Sequence, residues 1–252
     1  MSRMAFAMLP SAWAKRKPAM HMHAEAARVA VLGLRIEEAD TSTALAFHGL
    51  SQLSWRHEKS SATAAILVLF ALTIISNRAQ RKAGLRSNNL VGATYEDIQE
   101  VAPLSRKLIA RGLQLLRAVE AIGMERVGNA NLYSLLGIEE NGKWCKLPQQ
   151  HLCETYKHMS RLKHYFDHIK RPGSLHALKL YMLLLSLREN VSNVARCSYE
   201  TIQEYTQLRR EEIRDAIQLL IATHLIRFAG DEDAPKRKGD PMHNRYFIIG
   251  LA

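Results

Sequence analysis

The chain has 252 residues, enough for two small domains with apolar cores of their own, and its 47% hydrophobic and 23% charged residues are the proportions of a soluble globular protein. Lysine and arginine number 35 against 24 acidic residues, a formal charge of +11 with an isoelectric point near 9.7, and a surplus of this size favours a polyanionic partner, nucleic acid or an anionic membrane. Three cysteines, Cys145, Cys153 and Cys197, are odd in number and match no zinc spacing, so they exclude a disulfide framework and fit a reducing cytoplasm.

In chain order, residues 1–60 read as an N-terminal arm and helical segment. Met1 to Ala24 holds Arg3, Lys15, Arg16 and Lys17 and no acid, and Pro10 and Pro18 interrupt any helix, so a mobile basic arm is expected there rather than a targeting peptide. A helix follows over Ala62 to Arg78. Its apolar run, Ala64 to Ile75, is broken only by Thr73; twelve residues rise ~18 Å against a ~30 Å hydrocarbon core, so it reads as a buried core helix and no membrane partner is expected.

Thr94 is a good N-cap for a short helix over Tyr95 to Val101, with Asp97 placed where the macrodipole favours an acid. Pro103 stops that helix and Leu104 packs in the turn. Ser105 caps a longer helix reaching about Ala121, whose Leu108, Ile109, Leu113, Leu116 and Val119 share one face, and Gly123 is expected to end it. Short strands are expected over Met124 to Val127 and Leu132 to Leu136, joined by a turn at Gly128 to Asn131. Ile138 to Gly173 reads as a helical connector, packed by Trp144, Tyr156, Tyr165 and Phe166.

A second apolar helix over Leu175 to Glu189 opens the last part of the chain. Ser198 caps Tyr199 to Tyr205, Leu208 sits in a turn, and a long helix from Arg209 to about His224 is expected to bury Ile213, Ile217, Leu220 and Ile221. Strands over Leu225 to Ala229 and Arg245 to Gly250 flank a long loop containing Lys236, Arg237 and Lys238.

These two series are copies. Thr94-Tyr95-Glu96-Asp97-Ile98-Gln99-Glu100 returns 104 residues later as Ser198-Tyr199-Glu200-Thr201-Ile202-Gln203-Glu204. Without a gap, Leu104 then falls on Leu208, Ile109 on Ile213, Gln114-Leu115-Leu116 on Gln218-Leu219-Leu220, and Ile122 on Ile226. A length difference in one connection precedes the match of Asn131-Leu132-Tyr133 with Asn244-Arg245-Tyr246. Loops tolerate such insertions and cores do not, so the chain reads as duplicated domains at 61–137 and 174–252.

The stretch Leu104-Ser105-Arg106-Lys107-Leu108-Ile109-Ala110-Arg111-Gly112-Leu113, leading to Leu116 and Ala121-Ile122-Gly123-Met124, resembles the helix-turn-helix of bacterial winged-helix proteins. The duplication resembles the tandem winged-helix replication initiators of plasmids, over roughly Ser61 to Leu136 and Ser174 to Leu251. The resemblance implies a mainly α fold with small β-wings, two tandem winged-helix domains joined by a helical connector. It also implies sequence-specific binding of double-stranded DNA in replication initiation or transcription control of a plasmid-like element, in a cytoplasmic, nucleoid-associated protein. The rival reading is a winged-helix protein-interaction module in a nucleoprotein assembly, and a homodimer is left open.

A recognition helix sets its first turns against base edges, where an arginine fork pairs with guanine O6 and N7. Ser105, Arg106, Lys107 and Arg111 hold these positions in the first copy, Arg209, Arg210 and Arg214 in the second. Glu211 either accepts from a cytosine amine or supports the helix N-terminus. Lys236, Arg237 and Lys238 suit phosphate or minor-groove contact. Gly137 to Trp144 imitates a phosphate loop but ends in Trp144, which has no hydroxyl for Mg²⁺, and carries Glu139 and Glu140, which repel phosphate. Cys145, His151, Cys153, His158, His164 and His168 fit no standard metal site. No catalytic arrangement, metal site or cofactor is expected.

Overall fold

The structure is a computed structural model that describes residues 6–11, 13–15, 49–83, 89–127, 130–136, 138, 144–153, 158–229 and 244–251. Among these residues helices dominate, with three small antiparallel sheets. The first unit comprises α1 (Ser60–Ala83), β2 (Leu90–Ala93), α2 (Tyr95–Val101), α3 (Arg106–Ala118), β3 (Ile122–Val127) and β4 (Ala130–Leu135), its strands ordered β2-β4-β3. The second comprises α4 (Pro172–Leu187), β6 (Val194–Cys197), α5 (Tyr199–Thr206), α6 (Arg210–Ala222), β7 (Ile226–Ala229) and β8 (Asn244–Ile248), ordered β6-β8-β7. The remaining strands, β1 (Ala7–Pro10) and β5 (Trp144–Leu147), pair with each other.

The sequence repeat is visible in the element boundaries. The ends of α1 and α4, and the starts of β2 and β6, of α2 and α5, of α3 and α6, and of β3 and β7 all lie 104 residues apart. Strands β2 and β6 escaped the sequence reading; four residues such as Leu90-Val91-Gly92-Ala93 are too short to show alternation. Past the hairpins the offset grows to 113, because Tyr133 pairs with Met124 and Tyr246 with Phe228. The nine extra residues lie in the β7–β8 connection. Both tyrosines are fully buried.

Matching local devices start and stop the helices. Thr94 accepts from the Asp97 backbone N–H at 3.2 Å while the Asp97 carboxylate accepts from the Thr94 N–H at 2.8 Å; Ser198 accepts from the Thr201 N–H at 3.1 Å. Gly123 does not end α3. The stop is Val119 and Glu120, the latter at φ 52, and the second unit repeats it with His224 at φ 56. Gly123 instead lies in β3, where a Cβ would come 2.3 Å from Ser134 Oγ on the paired strand.

Packing draws both units into one buried cluster. Helix α1 has 24 residues, more than the apolar run alone suggested, and Ser60–Ala79 is long and apolar enough to cross a membrane; 83% of that stretch is buried inside the fold. Phe70 of α1 meets Tyr181 of α4 edge-on at 6.2 Å. Gly112 lets α3 cross α1 closely, since a Cβ there would lie 3.1 Å from the Ala65 backbone nitrogen. The corresponding residue of α6 is Ala216, also buried. Ile221 was expected in the core but is 40% exposed, one residue beyond the buried stripe Ile213, Ala216, Ile217 and Leu220.

The N-terminal arm and the connector both differ from expectation. Ala7 pairs with Leu147 and Pro10 with Trp144, so part of the arm is built into a sheet, and Phe6 stacks on Trp144 at 6.4 Å. Trp13 is buried, its Nε1 donating to the Pro10 carbonyl at 3.2 Å. The connector is a strand followed by short helices, Gln149–Leu152 and Lys163–Asp167, rather than helical throughout. It touches both units. The Met159 N–H donates to the Val101 carbonyl at 2.9 Å, and the buried Tyr165 hydroxyl lies 3.0 Å from Thr223 Oγ1 at the end of α6.

Candidate nucleic-acid interface

Helix α3 carries four basic residues and no acid over its 13 residues, while Ile109, Gly112, Leu113 and Leu116 face α1. That division leaves Arg106, Lys107 and Arg111 exposed. Ser105 caps the helix, its Oγ accepting from the Leu108 N–H at 3.3 Å, so the residue that fixes the helix start also stands at its exposed tip. Arg106 is ion-paired with Glu96 of α2, the two side chains 67% and 63% exposed. A pair so open to water contributes little to stability. Arg111 donates to Gln114 Oε1 at 3.3 Å. Gln99 fixes the preceding turn by donating to the Leu104 carbonyl at 2.8 Å.

Helix α6 occupies the same place in the second unit with a different charge pattern: Arg210 and Arg214 against Glu211, Glu212 and Asp215. Arg209 lies at the cap, just outside the helix. Its backbone N–H donates to Glu212 at 2.8 Å and its guanidinium binds the same carboxylate at 2.9 Å. Burial raises the Glu212 carboxyl, but the two bonds from Arg209 and the nearby His176 outweigh it and leave the pKa lowered. Arg210 lies over the Tyr199 ring at 5.3 Å, and Arg214 is 4.0 Å from Asp215. All three arginines are exposed, each with an anionic or aromatic neighbour. Lys236, Arg237 and Lys238 lie outside the described residues.

One buried charged residue was overlooked in the sequence. Lys179 sits in the apolar α4, 3% exposed, and donates to the carbonyls of Leu53 at 3.0 Å and Thr206 at 2.6 Å. Burial pushes its pKa down to about 7, opposed by the Glu212 carboxylate. The lysine ties the segment before α1 to the turn that launches α6, along a cleft of about 410 Å³ lined also by Trp55, His176, Gln207 and Glu212. A single cation inside a leucine run was the available signal.

The connector's histidines and cysteines scatter. His164 and His168 share a helix face with their rings stacked at 4.3 Å, and Cys145, Cys153 and Cys197 are buried free thiols. Burial pushes the three thiols up, to about 12, 11 and 12 respectively. Among the described residues no three His, Cys, Asp or Glu side chains converge as metal ligands would. Comparison with protein-family models, with curated proteins and with solved structures returned no match.

Proposed function

We propose that the protein binds double-stranded DNA in a sequence-specific manner through two winged-helix modules, residues 61–137 and 174–252, with α3 as the principal reader of the major groove. The observation that carries this reading is α3 itself. It is a 13-residue helix behind a tight turn, its inner face committed to the core, its first turns presenting Arg106, Lys107 and Arg111 with no acid on the helix. A helix N-terminus also offers free backbone N–H groups to phosphate. The net charge of +11 supplies the long-range attraction. By family resemblance alone, the role is replication initiation or transcription control of a plasmid-like element.

The acids on α6 favour a narrower part for the second helix, with the protein-interaction reading as its rival for that unit alone. Affinity for duplex DNA across a salt series tests the proposal: each neutralised phosphate adds roughly −0.9 to the log–log slope. A flat response overturns it. Arg106→Ala is expected to weaken a preferred site by ~1–3 kcal/mol more than a scrambled one, while Arg237→Ala weakens both alike. Equal losses for Arg106→Ala on both duplexes would exclude base reading by that residue.

A further inference from the structure

The outer face of the second sheet holds a basic surface that lies off the recognition helix. In β6-β8-β7, Arg196 pairs with Arg245, and Arg227 with Phe247. Cross-strand partners and residues two apart share a face, so all four stand on one side of the sheet. The opposite side carries the buried Ala195, Cys197, Tyr246, Ile226 and Ile248 and packs inward. Arg227 lies over the Phe247 ring at 5.0 Å and Arg245 at 5.6 Å. Arg196 is ion-paired with Glu189, whereas neither Arg227 nor Arg245 has an ion pair among the described residues. The Arg245 Nε is buried with no hydrogen-bond partner among the described residues.

The first sheet offers a control inside the same molecule. With Tyr133 matched to Tyr246, the registers place Gly92, Gly123, Leu132 and Ser134 where the second sheet has Arg196, Arg227, Arg245 and Phe247. The arginine surface therefore belongs to one copy only and is not a requirement of the fold. Packing against one aromatic ring restrains both side chains, and a restrained guanidinium fork suits phosphate oxygens better than a mobile lysine would.

We infer that this sheet face, with Arg227 and Arg245 stacked on Phe247, is a second DNA contact of the protein that grips the phosphate backbone of the duplex. The inference rests on the DNA-binding reading above, and it gives the second unit a positioning role that its acid-diluted helix α6 is poorly charged to fill.

The test uses the full chain with a 40-bp duplex and a 40-nucleotide single strand of mixed sequence, titrated over a salt series. Arg227→Ala/Arg245→Ala is expected to reduce the steepness of the log–log slope on duplex by about 1.8, two phosphate contacts' worth. Phe247→Leu keeps both charges and is expected to weaken duplex binding about two- to fivefold with the slope nearly unchanged. Lys59→Ala/Lys170→Ala, two exposed cations elsewhere, should leave the slope alone. Unfolding midpoints check that each variant is folded. An unchanged slope in the arginine variant, or an equal loss in the lysine variant, overturns the inference while wild-type binding leaves the DNA reading standing. A loss confined to the single strand overturns the duplex assignment. Failure of the wild type to bind either probe overturns both.

Discussion

The two units share their element order, their spacing and their sheet topology, yet they carry positive charge in different places. The first concentrates it on α3 and leaves its sheet face bare, with Gly92, Gly123, Leu132 and Ser134. The second mixes two basic with three acidic residues on α6 and arms the sheet face with Arg196, Arg227 and Arg245. A duplicated core is held in place by packing, so surface positions are where copies are free to diverge. The contrast teaches that two copies of one fold need not bind through the same surface: on the proposed reading, one reads bases with a helix and the other holds the backbone with a sheet.

The sharpest way to break this contrast is at the helices. Arg106→Ala/Arg111→Ala is expected to lower affinity for a cognate duplex by ~2–6 kcal/mol, at ~1–3 kcal/mol per lost contact. Arg210→Ala/Arg214→Ala should have a much smaller effect, because the neighbouring acids already offset those charges. Footprinting both double variants checks it: if α6 loses its whole protected region and α3 none, the assignment of reader and clamp is reversed.

The helix crossings differ next. Gly112→Val puts side-chain atoms against the Ala65 backbone, 3.1 Å from the position of a Cβ, and is expected to destabilise by ~1–3 kcal/mol through overpacking. Ala216→Gly in the other crossing removes only a methyl and raises backbone freedom, destabilising by ~1 kcal/mol. Denaturant titrations of both variants check it: a loss for Gly112→Val no larger than that for Ala216→Gly would show that the α1–α3 crossing has room for a larger side chain.

Lys179 sharpens the comparison through pH, since it supports the turn of the second unit only. Its folded pKa lies near 7, below the ordinary lysine value of 10.5, so between those limits the unfolded chain binds more protons than the folded one. Stability is therefore expected to rise from pH 7 toward pH 10. In Lys179→Met this component of the rise should vanish; an identical pH profile in the two proteins would show that the amine keeps its ordinary protonation.

The smallest effect concerns the helix stops, Glu120 and His224, both left-handed without being glycine. Glu120→Gly and His224→Gly are each expected to stabilise by up to ~1 kcal/mol. Equal gains would mark the stop as a shared feature of both units. No gain at His224 would assign the conformation there to the contact of its carbonyl with His151 Nε2 at 2.7 Å.

Local chemistry made much of this molecule legible in advance. Apolar spacing, the caps Thr94, Ser105 and Ser198, and the 104-residue repeat determined where the main helices lie and that one series of elements recurs. They also picked out the exposed basic residues of α3, because a residue off the apolar face of a helix is exposed whatever the helix packs against. What the tertiary structure decided depends on contacts distant in sequence. Strand β1 finds β5 across more than a hundred residues, which turns part of a presumed free arm into a sheet. Glu96 reaches Arg106 across the turn between α2 and α3, so the freedom of that arginine is set by a neighbour on another helix. The face of Arg227, Arg245 and Phe247 exists only through strand register, since a shift of one residue would send those side chains into the core.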